Sequence, residues 1–346
     1  MIEKLSTISG PPLAEESGVG ALTLGGFLAE VAARYPDNEA IAYRNSAGVD
    51  QRWTYAELYR DSALVAQALL ACGIAKDSRV GVLMTNRPEW LLSIFGAALA
   101  GAVGVAVSTF STRRELEHQL KISGVEILLM EDVIISHDFL ADLKDMCPEL
   151  ESAEPGKMVA TELPYLRRVV ALGNTNGLPA VESWDEFLRH STAMPADIVA
   201  ATSAAVSPVD NGLIFFSSGS TAMPKAILQR QRAATLQCWR FGRWFEIDSS
   251  VRCWSANGFF WSGNFAMALG GTLSVGGCLV LQAYFDPDET LEILQREKIT
   301  QAIAWPHQEA RLQECDGWES ADLSSLKYVD AAVSVFARHP SVDTDW

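Results

Sequence analysis

The chain has 346 residues, nearly half of them apolar, and a formal net charge of -16. The apolar share excludes a disordered chain, and the acidic balance excludes a general nucleic-acid binder, which needs a basic face. Cys72, Cys147, Cys238, Cys253, Cys278 and Cys315 form no C-x-x-C pair, the five histidines are dispersed, and no signal peptide opens the sequence. Neither a disulfide framework nor a metal-ligand cluster is expected, and the compartment is expected to be the reducing cytoplasm.

Residues 1–20 are weakly patterned and read as a loose arm. Leu24 to Tyr35 places Phe27, Leu28, Val31 and Ala32 on one face and predicts a helix ended by Pro36-Asp37-Asn38. Ala40 to Arg44 suits a strand, followed by a turn at Asn45-Ser46-Ala47-Gly48. Thr54-Tyr55-Ala56-Glu57 has the capping-box pattern and opens a helix to Cys72, closed by Gly73. A strand at Val80 to Met84, a helix from Pro88 and a strand at Val103 to Ser108 follow. A second box, Thr112-Arg113-Arg114-Glu115, opens a helix closed by Gly124, before a strand at Val125 to Met130. This alternation with short links predicts a parallel sheet covered by helices.

From Asp132 to Ser207 the patterning weakens, and connecting structure with one strand at Arg168 to Leu172 is expected. A second alternating set then begins. Strands are predicted at Asn211 to Phe216, Arg252 to Ser255, Cys278 to Gln282 and Ile299 to Trp305. Helices are predicted at Ala226 to Phe245, Asn264 to Leu273 and Asp286 to Glu297. The uncharged runs Trp90 to Thr112 and Cys253 to Phe285 are long enough to span a membrane, but glycines and polar residues break both. They read as buried helix-plus-strand pieces, so no membrane span is expected.

The chemistry concentrates in Leu213-Ile214-Phe215-Phe216-Ser217-Ser218-Gly219-Ser220-Thr221-Ala222-Met223-Pro224-Lys225-Ala226. A short apolar strand leads into clustered hydroxyls around Gly219, which lets the backbone turn tightly and approach a ligand. Turn amides and hydroxyls suit an anion, and Lys225 adds a point charge. A Walker-type loop needs its lysine directly after glycine and before Ser or Thr, which Pro224 and Ala226 exclude here. The competing reading is an ordinary polar surface loop. No acid occurs between Asp210 and Glu246, where Lys225, Arg230, Arg232, Arg240 and Arg243 fall. A locally positive region suits a polyanion, while Arg240 and Arg243 also fit a solvated helix face. Asn257 to Phe265 brings Phe259, Phe260, Trp261 and Phe265 beside Gly258 and Gly263, readable as core packing or as a pocket wall.

The stretch Ser217 to Lys225 resembles the signature loop of the adenylate-forming enzymes: acyl-CoA synthetases, luciferases and peptide-synthetase adenylation domains. Ala222 and Ala226 depart from it, standing where that family usually has glycine. The resemblance covers nearly the whole chain. It implies a fold of two layered α/β subdomains, here over 21–207 and 208–346, and ATP, Mg²⁺ and coenzyme A as reactants. It implies that Ser217, Ser218, Gly219, Ser220, Thr221 and Lys225 bind ATP phosphates. Thr221 and Lys225 would act in catalysis, with Thr221 also near Mg²⁺. It places Phe260, Trp261, Gly263 and Asn264 at the acyl site, with Trp261 where many relatives have His. An apolar gate there suits an aliphatic or aryl carboxylic acid.

Ile303-Ala304-Trp305-Pro306-His307 resembles a segment lining the same pocket, although His307 also reads as a surface residue. Asp322-Leu323-Ser324-Ser325-Leu326 resembles the run before the family's adenine-binding strand. The family's later motifs would follow Trp346, so the sequence is expected to be the N-terminal portion of a longer enzyme, inactive by itself. The implied activity is an AMP-forming acid–CoA ligase. The alternatives are an acyl-AMP ligase that loads a carrier protein and a non-catalytic acyl- or nucleotide-binding protein.

Overall fold

A computed structural model describes residues 12–217, 223–329 and 334–343. In chain order its first elements are α1 (Leu24–Arg34), β1 (Glu39–Arg44), β2 (Asp50–Thr54), α2 (Tyr55–Ala71), β3 (Arg79–Leu83), α3 (Pro88–Leu99), β4 (Val103–Ala106), α4 (Arg113–Ser123) and β5 (Ile127–Glu131). The hairpin β6 (Val133–Ile134) and β7 (His137–Asp138) follows, then α5 (Phe139–Met146), β8 (Arg168–Leu172), β9 (Val181–Ser183), α6 (Trp184–Arg189) and α7 (Ala196–Ala204). Next come β10 (Asn211–Ser217), β11 (Lys225–Arg230), α8 (Gln231–Trp244) and β12 (Arg252–Ser255). A continuous helical stretch combines α9 (Ser262–Asn264), a π-turn (Phe265–Gly270) and α10 (Gly271–Ser274). It leads to β13 (Cys278–Leu281), α11 (Pro287–Arg296), β14 (Gln301–Ile303) and α12 (Pro306–Gln313).

Local chemistry sets the helix starts. Thr54 and Thr112 each accept from the backbone N–H of a glutamate three residues on, and that glutamate accepts from the cap backbone in return. Asp286 caps α11 by accepting from Glu289 N–H. Gly124 ends α4 at φ 65°, a left-handed conformation that glycine adopts without strain.

The strands form a seven-stranded sheet, ordered β11-β10-β4-β3-β5-β8-β9, and a five-stranded sheet, ordered β14-β12-β13-β1-β2. Most neighbours are parallel; the exceptions are the hairpins β1–β2 and β10–β11 at the sheet edges. Strand alternation divides the apolar side chains among three layers. Leu213 and Phe215 of β10, Ile127 and Leu129 of β5, and Leu279 and Leu281 of β13 enter one core shared by both sheets with α1, α2 and α3. Ile214, Leu128 and Met130 face the outer core under α4 and α5. Trp254, Cys278 and Val280 face the opposite outer core under α11 and α12. Helix α3 is buried along almost its whole length, as expected of an element between two sheets. Its apolar run therefore belongs to a core, and among the described residues no helix is long and apolar enough to cross a membrane.

Several expectations change. Both sheets draw strands from either side of residue 207: β1 pairs with β13, and β10 pairs with β4. Residues 12–20 are tied down: Glu16 pairs with Arg240, and Ser17 O accepts from Arg243. The helix expected from Ala226 begins only at Gln231, because Lys225–Arg230 pairs antiparallel with β10. The stretch from Asp132 to Ser207 holds three helices and four short strands rather than one strand. In the run Tyr328 to Phe336, expected to hold the adenine-binding strand, the described residues 328–329 and 334–336 form no strand, and residues 330–333 lie outside the described residues.

Candidate active site

Ser217 ends β10 and Lys225 begins β11, and the two are paired across the hairpin. Ser218, Gly219, Ser220, Thr221 and Ala222 lie outside the described residues. Both approaches to the loop are anchored. His118 on α4 donates from Nε2 to the carbonyl of Pro224 at 2.9 Å, which fixes the tautomer with the proton on Nε2. On the other side, Phe215 packs against Phe265 with ring centroids 5.7 Å apart.

Ser217 and Pro224 border a cavity of about 460 Å³ whose far wall is Phe260, Trp261 and Gly263. The sequence-derived loop ends and three of the four acyl-site candidates therefore share one space. Phe260 is buried, whereas Trp261 is 51% exposed. A Cβ at Gly263 would meet nothing within 4 Å, so the backbone there leaves open room. Core packing accounts for Phe259 and Phe265, which lie against the buried Trp90 ring; it does not account for Trp261.

Asn264 plays a different part from the expected one. It is buried, accepts from Ser255 Oγ at 2.7 Å and donates to Asn257 O at 2.6 Å. Both ends of its amide are committed to the protein, so it braces the aromatic segment and does not line the cavity. Asn86, at the end of β3, does the same from the other sheet. It donates to Asn257 O at 2.7 Å and accepts from Phe259 N–H at 2.9 Å. Gly258 is needed between them, because a Cβ there would stand 2.1 Å from the Phe260 ring. Asn86 and His118 escaped the sequence reading, since their partners are far away in the chain. The one local hint is that Asn86 falls in the polar Thr-Asn-Arg-Pro link where a parallel strand ends.

The cations of the acid-free stretch separate. Arg240 is paired with Glu16, and Arg243 with Ser17 O. Arg230 donates to Val209 O and Asn211 Oδ1. Lys225 and Arg232 make no ion pair among the described residues. Of these cations, Lys225 is the one that the sheet register sets opposite Ser217 at the loop's end. At the opposite rim Glu115 is engaged with the hydroxyl and N–H of Thr112, and these bonds hold its carboxyl below the usual range.

A second cavity of about 430 Å³ adjoins the first and includes His307, Gln308 and Arg311 of α12. His307 thus stands on this second space and not beside Trp261. Among the described residues no group of three or more His, Cys, Asp or Glu side chains could hold a metal ion.

A shared core between two sheets, with a loop at the ends of parallel strands, is the fold of the N-terminal domain of adenylate-forming enzymes. The anthranilate CoA ligase AuaEII, solved with anthranoyl-AMP, superposes with a TM-score of 0.72 at 20% identity, over 88% of this chain and 54% of that one. The family described as "AMP-binding enzyme" matches residues 28–339, and the chain belongs to it. Human mitochondrial medium-chain acyl-CoA ligase ACSF2 is 31% identical over 204 residues, 59% of this chain and 32% of that protein. YngI of Bacillus subtilis is 26% identical over 307 residues, 88% of this chain and 55% of that protein. The chain thus spans about half or less of the length of these relatives.

Proposed function

We propose that this chain supplies the phosphate loop and the acid pocket of an ATP-dependent acid–CoA ligase. In this reading the carboxylate of an apolar acid attacks the α-phosphate of ATP and pyrophosphate leaves. The thiol of coenzyme A then attacks the acyl carbonyl and AMP leaves. The loop Ser217 to Lys225 would hold the β- and γ-phosphates, with Lys225 offsetting charge on the departing pyrophosphate. Mg²⁺ would arrive with the nucleotide, near Thr221. Phe260, Trp261 and Gly263 would bound the acid, held in place by Asn86 and Asn264.

The supporting observation is that the hairpin mouth formed by Ser217 and Pro224 opens into the same cavity as Phe260, Trp261 and Gly263. That brings the ends of the expected phosphate loop and an apolar wall to one space, which suits the joining of a carboxylate to a nucleotide. The names of the relatives, acyl-CoA ligases among them, support the same reaction class. Four of the six cysteines are buried and none is bonded to another, which fits a cytoplasmic location.

The test is acid-dependent exchange of pyrophosphate into ATP by the full-length enzyme, followed by mass-spectrometric detection of the CoA thioester. No exchange with any of a panel of aliphatic and aryl acids would overturn the proposal. Exchange followed by transfer only to a phosphopantetheinyl carrier protein would replace CoA as the acceptor.

A further inference from the structure

The dipeptide Asn-Gly occurs three times in the chain, at 176–177, 211–212 and 257–258. It carries a reaction of its own. Glycine has no side chain to shield its backbone nitrogen, so that nitrogen can attack the carboxamide carbon of the asparagine before it. The sequence makes the three sites equivalent, but their surroundings do not.

At 211 both ends of the carboxamide are in use. Asn211 Nδ2 donates to Asp77 Oδ1 at 2.7 Å, and its Oδ1 accepts from Arg230 at 3.0 Å. Gly212 is buried in β10, where a Cβ would meet the Gln231 backbone at 3.1 Å. At 257 the main chain is clamped. Asn257 O accepts from both Asn86 and Asn264, and the next N–H but one, that of Phe259, donates to Asn86. Neither peptide can swing towards its carboxamide without breaking a sheet edge or the bracing of the aromatic segment.

The 176 site is open. Asn176 and Gly177 are the exposed tip of the link between β8 and β9. Their φ angles are 51° and 69°, and Leu178 N–H donates to Thr175 O at 3.0 Å, as in a type I′ turn. The Asn176 carboxamide and the Gly177 N–H make no hydrogen bond among the described residues, and a Cβ at Gly177 would meet nothing within 4 Å. Only the Leu178 bond and one from Asn176 N–H to Asn174 Oδ1, at 2.8 Å, resist opening of the turn. Exposed tips of this kind open at far lower free energy than paired strands.

We infer that Asn176 is a site of spontaneous deamidation. Gly177 N bonds to Asn176 Cγ, the Cγ–Nδ2 bond breaks, and ammonia leaves with the proton that Gly177 N gives up. Water then opens the succinimide ring at either carbonyl and leaves aspartate or isoaspartate at position 176. Nothing is oxidised or reduced, and water is the one co-reactant. Isoaspartate routes the main chain through Cβ, lengthening it by one atom, and either product adds a negative charge beside the cleft lined by Thr175, Gly177, Glu182 and Glu186. The link lies at the β9 edge of the seven-stranded sheet, opposite the β11 edge. The change is therefore independent of the proposed ligase chemistry.

The experiment keeps the full-length enzyme for weeks in mildly alkaline buffer made with oxygen-18 water, folded in one sample and in concentrated urea in another. Both are then digested and mapped by mass spectrometry, with isoaspartyl methyltransferase as the probe for isoaspartate. In the folded sample product at 176 should form at least about tenfold faster than at 211 or 257. It should contain isoaspartate and one oxygen-18 atom. In urea the three rates should converge. Asn176→Gln should abolish the folded-state signal and leave the urea signals at 211 and 257. Equal rates at the three sites in the folded enzyme would overturn the inference, as would no product at 176 when the urea sample yields it. Aspartate without isoaspartate would exclude attack by Gly177. A spread of rates in urea as wide as in the folded enzyme would assign the difference to neighbouring residues and overturn the structural argument.

Discussion

Ser217 and Lys225 are paired residues in the register of the β10–β11 hairpin. The two ends of the loop are therefore held together by sheet hydrogen bonding and not by a helix start. A helix beginning at Ala226 would carry Lys225 away along its own axis. The observed edge strand keeps Lys225 level with Ser217.

Lys225→Ala should therefore damage catalysis and spare the fold. Lys225 is exposed on an edge strand, where truncation changes stability by less than about 0.5 kcal/mol. Loss of its charge should slow acid-dependent pyrophosphate exchange about a hundredfold, and Thr221→Ala should do the same. Exchange near the wild-type rate in both variants would remove the loop from the reaction.

Trp261→Ala should alter acid preference with little effect on the melting temperature, because the ring is half exposed. The ratio of kcat/KM for bulky over slender acids should rise, with the KM for ATP unchanged. A fall of several degrees in the melting temperature with a uniform loss across all acids would return Trp261 to the core.

Asn264→Leu should behave as a structural lesion with a functional echo. It removes two hydrogen bonds from a buried site and strands Asn257 O in part. The expected loss is about 2 kcal/mol in urea unfolding, accompanied by a higher KM for the acid. Equal stability of variant and wild type would show that the brace is not needed.

Acid should weaken the five-stranded sheet first. Glu297 is 6% exposed and accepts from Arg52 and Arg252, while Arg252 also meets Glu39. Burial pushes the Glu297 carboxyl up, but the hydrogen bond and charge of Arg52, with the charge of Arg252, outweigh this and hold it at about 2, below its ordinary 4.5. Because the folded-state value is the lower one, the stabilisation is complete above about pH 4.5 and fades as pH falls towards 2. Glu297→Gln should cost about 2 kcal/mol at neutral pH, below the range for fully buried pairs because Arg52 remains 38% exposed. It should also flatten the acid limb of stability against pH. An unchanged acid limb would dismiss this cluster as the acid-sensitive point.

What was legible in the sequence was local. Thr54 with Glu57, Thr112 with Glu115, and Gly124 mark helix ends through contacts within a few residues, and all appear as read. The loop and its aromatic neighbours were legible as motifs. Lys225–Arg230 was not, because Ala226, Leu228 and Gln229 favour a helix locally and only pairing with β10 overrides that preference. Nor was the structural role of Asn264, whose amide reads as a ligand group until Ser255 and Asn257 are seen to use it. The short helices between Asp132 and Ser207 lack a sustained apolar stripe and take their shape from the sheet they cover.

The pairing of Ile41 with Leu279 also sets a timetable. On the ribosome the β1–β2 hairpin emerges early, but the strand that covers its other edge is synthesised 238 residues later. At about 5–20 residues per second the wait is roughly ten to fifty seconds. Throughout that interval Ile41, Ala42 and Tyr43 present an unpaired apolar edge, while the seven-stranded sheet gathers β3, β4 and β5 beside it. The nascent chain must therefore be shielded at β1 until β13 has been made, and slow translation lengthens the period during which that edge can recruit another chain.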